Sequence, residues 1–396
     1  HVITRMTRGG AQENTRATVL GLRKKGYKVT LMTGPSWGKE GEILSQALGE
    51  GLEVVILPEL VREVHPWKDL VSLAKLSSWL AKNRYDIVHT HSSKAGFLGR
   101  LAARFRRVPV VVHTPHGHVF HSYFHPWKER LFLSLERWAA NWADRLIAVT
   151  ERGREEHLKV GEGTRRKWII IPSGVNERRF QEPICQNEEI LDRFKIASNK
   201  KIVGFVGRLA PVKGARYFIE ALPQIFKTVP ETHCFVVGDG EEKPRLQKRV
   251  DELGLNGGVT FAGHQEQIPE WMSLFDVLVV PSLNEGMGRV IAEVGLLAGA
   301  VVGSRVGGIP DLIEDGQTGL LVEPRNSSEI AEAVTRLLAD PALAECLGKG
   351  LRAKVLQSFT EDQMVEKIHH LYQEVLKEKG IGRPMFFCQA QSIPLQ

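Results

Sequence analysis

Two carboxylates, Glu285 and Glu293, belong to a segment in which a loop runs into a helix. An apolar run ends at Val280, and Gly286 and Gly288 then precede apolar residues that recur at helical spacing. The first amide groups of such a helix have no partner within it, so they favour a phosphate or another anion. A carboxylate repels phosphate, so the two glutamates are better suited to accept hydrogen bonds from sugar or ribose hydroxyls. The alternative is that Glu285 caps the helix and that Glu293 is a solvated surface residue.

Two cations, Arg208 and Lys213, lie on one glycine-bounded loop, GRLAPVKG, which follows an apolar run. Glycines allow the backbone to approach a diphosphate, and the two side chains would neutralise its charge. The loop lacks the GxxxxGK[ST] pattern of nucleotide triphosphatases and the GxGxxG pattern of nicotinamide enzymes. The alternative is an ordinary exposed loop between a strand and a helix.

Other unusual residues also follow strand-like runs. Gly9 and Gly10 stand between the opening strand and the first helix, and Gly238 and His264 follow two later strands. Glycine at such a place allows a ligand to come close to the backbone. For each of these residues an ordinary turn is the alternative.

The run HTPHGHVFHSYFHPW over residues 113–127 is rich in histidine. It lacks HExxH and an accompanying set of carboxylates, so a metal site is not predicted. His116, at the end of a strand, is the better candidate for contact with a substrate hydroxyl. Phe120 and Trp127 belong to a group of aromatic residues near basic ones that would suit lipid head groups, or would pack beneath a helix instead.

Strand-like and helix-like runs alternate along the whole chain, which predicts an α/β protein with doubly wound parallel sheets. We predict a first domain over residues 1–180 and a second over 181–358. A helix over 359–379 and a disordered tail over 380–396 follow, and residues 172–201 are interpreted as a linker without a strand. Ligands of such sheets bind beyond the carboxyl ends of the strands, so two facing sheets predict a site in the crevice between them.

Charge is unevenly spread along the 396 residues. Residues 1–180 contain 30 Lys and Arg against 17 Asp and Glu, and the remainder contains 23 against 29, for a net charge of +7. A basic first half favours a phosphorylated substrate or an anionic membrane surface. Neither zinc-finger spacing nor an RNA-recognition signature occurs, so nucleic acid is not an expected partner.

The sequence contains no run of about 18 apolar residues that would span a membrane. Its four cysteines are far apart and form no CxxC pair, which is typical of a reducing cytoplasm. The first residues, His1 to Ile3, read as a strand that has already begun, so a few residues are expected to precede them.

These motifs, in this order, resemble the retaining glycosyltransferases of family 4. The resemblance implies the GT-B fold, with two Rossmann-like domains and a C-terminal helix that crosses back to the first domain. The most specific part is the E-x7-E signature within NEGMGRVIAEV, supported by GRLAPVKG before it and SRVGGIPDLIEDGQTGLLVEP after it. RGGAQENT, HTHSSKAGFLGRLAA, HTPHG and IPSGVN are similar to the branch that builds bacterial cell-surface polysaccharides. Ser173, Asn176 and Ala300 depart from the usual Asn, Asp and Pro, which puts the local loop shape in doubt.

The resemblance implies a role for each matching residue. Arg208 and Lys213 would bind the donor diphosphate, Glu293 the ribose hydroxyls, and Glu285 the transferred sugar. His116 would reach the sugar near the reacting carbon. The remaining donor contacts would come from Gly9, Gly10, Gly238, His264, Gly286, Met287 and Gly288. From their positions alone, His91, Lys94, Phe120 and Trp127 are candidates on the acceptor side, with a buried histidine as the default for one of His89 and His91.

By resemblance the chain is a retaining, hexosyltransferase-type enzyme that uses a nucleoside-diphosphate sugar, with UDP as the expected nucleotide. The acceptor would be a glycan or a polyprenyl-diphosphate-linked glycan, reached from the cytoplasm or the inner face of the membrane. No DxD motif occurs, so neither a metal ion nor another cofactor is expected. The alternatives are a GT-B epimerase acting on a UDP-sugar and a non-catalytic nucleotide-sugar-binding protein.

Overall fold

The computed structural model describes residues 1–7, 9–36, 43–116, 126–180 and 187–381 and divides the chain into two compact units. Unit 1 comprises His1–Gly174 and the chain from Glu361 onward, and unit 2 comprises Val175–Thr360. The sequence placed the boundary at residue 180. It lies earlier because Val175 already pairs with Thr360 and donates a hydrogen bond to the carbonyl of Phe359 over 2.8 Å.

Unit 1 is built on a parallel sheet whose described strands lie in the order β3-β2-β1-β4-β5-β6-β7. The strands are β1 Val2–Ile3, β2 Thr30–Thr33, β3 Glu53–Ile56, β4 Ile87–His91, β5 Val110–Thr114, β6 Arg145–Ala148 and β7 Trp168–Ile170. The helices between them are α1 Gly10–Lys24, α2 Ile43–Gly49, α3 Pro66–Asn83, α4 Ser93–Phe105, α5 Pro126–Ala140 and α6 Glu151–Lys159. β5 is buried along its whole length, as expected for an apolar strand covered on both faces.

Unit 2 repeats the design with the strand order β10-β9-β8-β11-β12-β13, again all parallel. Its strands are β8 Lys201–Val206, β9 Thr232–Val237, β10 Val259–Gly263, β11 Val277–Val280, β12 Ala300–Ser304 and β13 Leu320–Val322. Its helices are α7 Asn187–Arg193, α8 Ala215–Thr228, α9 Lys243–Glu252, α10 Ile268–Ser273, α11 Arg289–Leu296, α12 Ile309–Leu312, α13 Ser327–Ala339 and α14 Pro341–Ser358.

The last helix, α15 (Glu361–Glu378), belongs to unit 1 although it follows unit 2 in the chain. Its apolar side includes Ile368, Leu371 and Tyr372, and it forms one core with residues of α1 and the central strands. Burial of such a face drives helix packing without any specific polar contact.

Several elements, including β4, α2 and α7, differ from the sequence expectation. The sequence predicts a strand over Ile87–His89, whereas β4 extends to His91, because the polar residues after the apolar start are also buried in the sheet. α2 and α7 were not predicted, and α7 lies within the segment interpreted as a linker. Both helices are only seven residues long, so tertiary packing of residues such as Ile43 and Ile190 stabilises them more than local propensity does.

Candidate functional site

The loops after β8 and β11 lie against each other at the carboxyl edge of the unit 2 sheet. The amide of Leu283 donates a hydrogen bond to the carbonyl of Val212 over 2.8 Å. Gly214 has a φ of 66°, and a Cβ there would lie 2.0 Å from the carbonyl oxygen of Pro281. Only glycine allows this approach, which sets the distance between the two loops.

Lys213 and Glu285 form an ion pair across these loops. The Lys213 side chain is 31% exposed and that of Glu285 is 15% exposed. The Ser282 hydroxyl donates a hydrogen bond to the same Glu285 oxygen over 3.3 Å. The structure therefore brings together a cation and a carboxylate that the sequence assigned to one site.

The loop after β12 also contacts the backbone of Glu285. Gly308 donates its amide hydrogen to the Glu285 carbonyl over 3.0 Å. Gly307 has a φ of 51°, and a Cβ there would lie 1.8 Å from that carbonyl oxygen. The GG pair within SRVGGIPD is thus the sequence signal for a contact that periodicity does not reveal.

Arg208 lies on the same loop as Lys213 but has a different carboxylate partner. Its guanidinium is 3.4 Å from the Glu241 carboxylate, and both side chains are about half exposed, at 52% and 55%. A pair as exposed as this contributes little to folding stability, because water screens it and both side chains lose rotamer freedom. Arg208 therefore keeps an accessible charge on the loop.

Gly238 connects the loops after β8, β9 and β10. A Cβ at Gly238 would lie 1.9 Å from the carbonyl oxygen of Gly207, and its amide donates to the carbonyl of Gly263 over 2.8 Å. His264 follows Gly263 directly and lines a cavity of about 370 Å³ together with Arg193, Gln265, Gln267, Trp271 and other residues.

Glu293 lies in the second turn of α11, as the sequence predicts. The helix begins after Gly288, which has a φ of 84°, and Met287 beside it is buried. Arg289, one turn before Glu293, places its Nε 3.2 Å from the carboxylate. Both side chains are mostly buried, with exposures of 18% and 16%, so Arg289 is a neighbour of Glu293 that sequence reasoning missed.

In unit 1, Gly9 and Gly10 stand at the start of α1. Gly9 is the N-cap and has an extended backbone, and Gly10 is the first helical residue. Lys94 forms an ion pair with Asp69 over 2.5 Å and is 14% exposed. Phe120 lies outside the described residues, and so does the side chain of Trp127.

His91 does not face a surface, although the sequence named it as a candidate for contact with an acceptor. It is fully buried, its Nδ1 lies 2.9 Å from Nε2 of His116, and its Nε2 lies 3.0 Å from Nδ1 of His1. Burial lowers the pKa of His116 to about 3 and lowers that of His91 well below its usual range, so both rings are neutral near pH 7.

Ring nitrogens of His1, His89 and His91 lie within 4.8 Å of one another, a separation that a metal ion could bridge. However, both nitrogens of His89 have hydroxyl partners, at 2.6 Å in Tyr372 and 2.8 Å in Thr114. A bound metal would have to displace these partners and those of His91 as well. The arrangement is better described as a group of rings stacked around His91, in which only His1, His91 and His116 are hydrogen-bonded to one another.

Within the described part of the chain, we find no helix whose length and apolar character would let it cross a membrane.

Two family models match the chain, one for each unit. Residues 9–174 match the model described as "Glycosyl transferase 4-like domain", and residues 186–354 match "Glycosyl transferases group 1". Both units, and the loops that join Lys213 to Glu285, thus define a glycosyltransferase of the two-domain α/β class.

Individual glycosyltransferases are similar to this chain in sequence and in structure. The chain is 32% identical over 344 residues to UDP-Gal:alpha-D-GlcNAc-diphosphoundecaprenol alpha-1,3-galactosyltransferase of Escherichia coli, which covers 86% of this chain and 89% of the relative. It is 25% identical over 364 residues to the capsular polysaccharide biosynthesis glycosyltransferase CapM of Staphylococcus aureus, covering 90% and 92%. HepE of Anabaena, solved in complex with UDP-glucose, has a similar fold, with a TM-score of 0.79 at 23% identity over 94% of this chain and 98% of that one.

The chain belongs to the glycosyltransferases of the family 4 type, and its fold is GT-B. The family and the fold class predicted from the sequence are both confirmed.

Proposed function

We propose that this protein is a retaining glycosyltransferase that moves a hexose from a UDP-sugar to a glycan or lipid-linked glycan during synthesis of a cell-surface polysaccharide. The single observation that carries the proposal is the Lys213–Glu285 ion pair, with Arg208 on the same loop as Lys213. The names of the E. coli relative and of the HepE complex support a uridine nucleotide.

The two cations act on the charge that the reaction creates. When the bond between the anomeric carbon and the diphosphate breaks, positive charge develops on the sugar and negative charge on the departing diphosphate. Arg208 and Lys213 stabilise the negative charge on the diphosphate. The amides of Gly286, Met287 and Gly288 stabilise it further. Since no DxD pair occurs in the sequence, we assign this task to side chains and backbone without a metal cofactor.

The carboxylates hold neutral groups. Glu293 accepts hydrogen bonds from the ribose hydroxyls, and Glu285 contacts the transferred sugar. Lys213 offsets the charge of Glu285, so the carboxylate does not repel the nearby diphosphate. Gly9, Gly10, Gly238 and His264 complete the donor contacts.

Retention requires the acceptor to attack from the face that the diphosphate leaves. The acceptor oxygen forms the new bond to the anomeric carbon while its proton passes to an oxygen of the leaving diphosphate. We assign no protein nucleophile. By the family resemblance we assign to His116 a contact with a sugar hydroxyl near the reacting carbon, made by the neutral ring.

The charge distribution supports a lipid-linked acceptor on the inner face of a membrane. Residues 1–180 carry 30 Lys and Arg against 17 Asp and Glu, and the name of the E. coli relative includes a diphosphoundecaprenol acceptor. An anionic surface attracts such a chain by roughly 1 kcal/mol for each nearby cation. Sedimentation with vesicles containing phosphatidylglycerol should therefore be strong at low salt and weak at 1 M NaCl, and absence of binding at low salt would exclude the surface.

The reaction itself is tested with a panel of nucleotide sugars. We expect one UDP-sugar to release UDP faster when a polyprenyl-diphosphate-linked saccharide is added, and the product to keep the anomeric configuration of the donor by NMR. An epimerase would convert the donor with no acceptor present, and a binding protein would shift in melting temperature without releasing UDP. A product with inverted anomeric configuration would reject the retaining mechanism but not the glycosyltransferase activity.

A further inference from the structure

Four histidine rings, those of His1, His89, His91 and His116, form a stacked row in unit 1. His91 is at its centre, with its ring centroid 5.2 Å from that of His116, 5.3 Å from that of His1 and 4.2 Å from that of His89. The row follows from β-strand geometry, since His89 and His91 are two residues apart on β4 and point to the same face.

Hydrogen bonds join three of these rings, His1, His91 and His116, and couple their proton positions. A neutral imidazole has one nitrogen that donates and one that accepts. If Nδ1 of His91 donates to Nε2 of His116, then Nε2 of His91 must accept from His1, and the His116 proton is on Nδ1. In the opposite polarity each of these roles is reversed. His91 therefore cannot change its own proton position without changing the tautomer of His116.

Burial makes this coupling strict. Desolvation is the largest cause of the lowered pKa of His91, and the neighbouring rings His89 and His116 lower it further. A protonated His91 would donate from both nitrogens, so it could no longer accept a hydrogen bond from either His1 or His116. Because charging is disfavoured, the row stays neutral and keeps one donor and one acceptor in each ring.

The row is anchored to the rest of unit 1 through His89. Its two nitrogens lie 2.6 Å from the hydroxyl of Tyr372 on α15 and 2.8 Å from that of Thr114 on β5. His116, two residues after Thr114, has a φ of 62°, a left-handed backbone that a side chain seldom adopts. A strained residue of this kind stays in place only when its surroundings hold it.

We propose that His91 is a positioning residue that fixes the ring orientation and the tautomer of His116 through their hydrogen bond. The proposal rests on the proposed role of His116 in sugar transfer. It replaces contact with an acceptor as the role of His91, because a fully buried ring with both nitrogens occupied has no group to offer a ligand.

Two amide substitutions separate the two hydrogen bonds of His91. The amide of His91→Asn reaches the position of Nδ1 and can still bond to His116, whereas the amide of His91→Gln reaches the position of Nε2 and bonds to His1. Each variant leaves one histidine unpaired and loses the stacked ring, so the pair is matched in structural cost. We expect His91→Asn to stay within about threefold of the parent kcat, and His91→Gln to lose about 10- to 100-fold, the scale of a group misplaced by 1 Å.

A double-mutant comparison shows whether His91 acts through His116. In the His116→Ala background, the difference between His91→Asn and His91→Gln should disappear, because the group being positioned is gone. Equal kcat values for the two variants in the parent background, with melting temperatures matched, would overturn the positioning role. Parent-like activity of His116→Ala would instead reject the proposed role of His116, whatever the His91 variants do.

NMR of protein labelled with 15N in histidine gives a readout independent of activity. We expect the His116 ring nitrogens of the parent to show one dominant tautomer. Those of His91→Gln should show a mixture of the two. An unchanged tautomer in His91→Gln would also overturn the proposal.

Discussion

Lys213 and Glu285 are 72 residues apart in the chain, yet their side chains form an ion pair in unit 2. Arg208 extends from the same loop and is about half exposed. At the scale of single residues, one loop thus supplies two cations, one paired with the mostly buried Glu285 and one paired with the half-exposed Glu241.

We expect Lys213→Ala and Arg208→Ala each to lower kcat by about 100-fold, the scale of removing one preorganised electrostatic stabiliser. Steady-state UDP release measures this effect. Lys227→Ala removes the same charge from an exposed position near the other end of α8 and should leave the rate within twofold. Near-normal rates in both site variants would defeat the assignment of the diphosphate site.

Buried histidines make the folding stability of unit 1 sensitive to acid. Burial lowers the pKa of His116 to about 3 and that of His89, His91 and His113 well below the usual range. Between pH 3 and 6.5 the unfolded chain therefore binds more protons than the folded one, and the free energy of unfolding falls as the pH falls. One such ring costs about 1.4 kcal/mol between pH 7.5 and 5.5.

We expect the melting temperature, measured by calorimetry, to drop markedly from pH 7.5 to 5.5. His116→Asn should make this dependence shallower, whereas His370→Asn, on the exposed side of α15, should not. A melting temperature that is equal at the two pH values would mean that these rings take up protons without unfolding.

At the scale of elements, glycines decide how closely the loops beyond the strands approach one another. Gly307 and Gly316 both have positive φ, 51° and 74°, but only Gly307 contacts another part of the site. A Cβ at Gly307 would lie 1.8 Å from the Glu285 carbonyl oxygen, whereas one at Gly316 would meet nothing within 4 Å. The two positions therefore separate backbone strain from displacement of Glu285.

We expect Gly316→Ala to cost only the roughly 1 kcal/mol of a left-handed alanine and to leave kcat unchanged. Gly307→Ala should move the loop that carries Glu285 and lower kcat by about tenfold or more. Urea unfolding and UDP release measure the two quantities. Equal kcat values in the two variants would show that the position of Glu285 does not depend on this contact.

At the scale of the whole molecule, the chain leaves unit 1, forms unit 2 and returns as α15. Leu371 on α15 is buried in the core that α1 shares with the central strands, whereas Leu351 on α14 is buried against Gly295 of α11. Contacts that hold unit 1 together thus come from both ends of the sequence.

Leu371→Ala and Leu351→Ala should each destabilise the unit that contains them by about 2–5 kcal/mol, the usual cost of a cavity in a core. Hydrogen exchange followed by mass spectrometry locates the effect. We expect faster exchange in α1 for Leu371→Ala and in α11 for Leu351→Ala. Equal acceleration of both helices in either variant would mean that the two units unfold as one.

Much of this organisation is predictable from the sequence because strand and helix periodicities are local. The runs that became β8, β9 and β11 and the E-x7-E segment needed only neighbouring residues to be recognised. The short helices α2 and α7 and the last two residues of β4 were missed, since their stability comes from contacts with distant residues.

Within the site, the sequence named Arg208, Lys213, Glu285 and Glu293 but not their partners. Glu241 lies beside Arg208 only in the folded chain, whereas Arg289 is four residues before Glu293 on one helix, a spacing that the sequence already contains. His91 is buried in the sheet. Side-chain pairing depends on angles and distances between elements, which a linear pattern does not contain.

By itself the sequence determined the class of fold, the family and the residues that bear charge at the ends of the strands, because residue types and spacing encode periodicity and chemistry. Only the tertiary structure decided which carboxylate each cation meets and that a row of histidines lies beneath His116. These contacts join residues from separate strands and loops, and the packing of the sheet sets the distances between them.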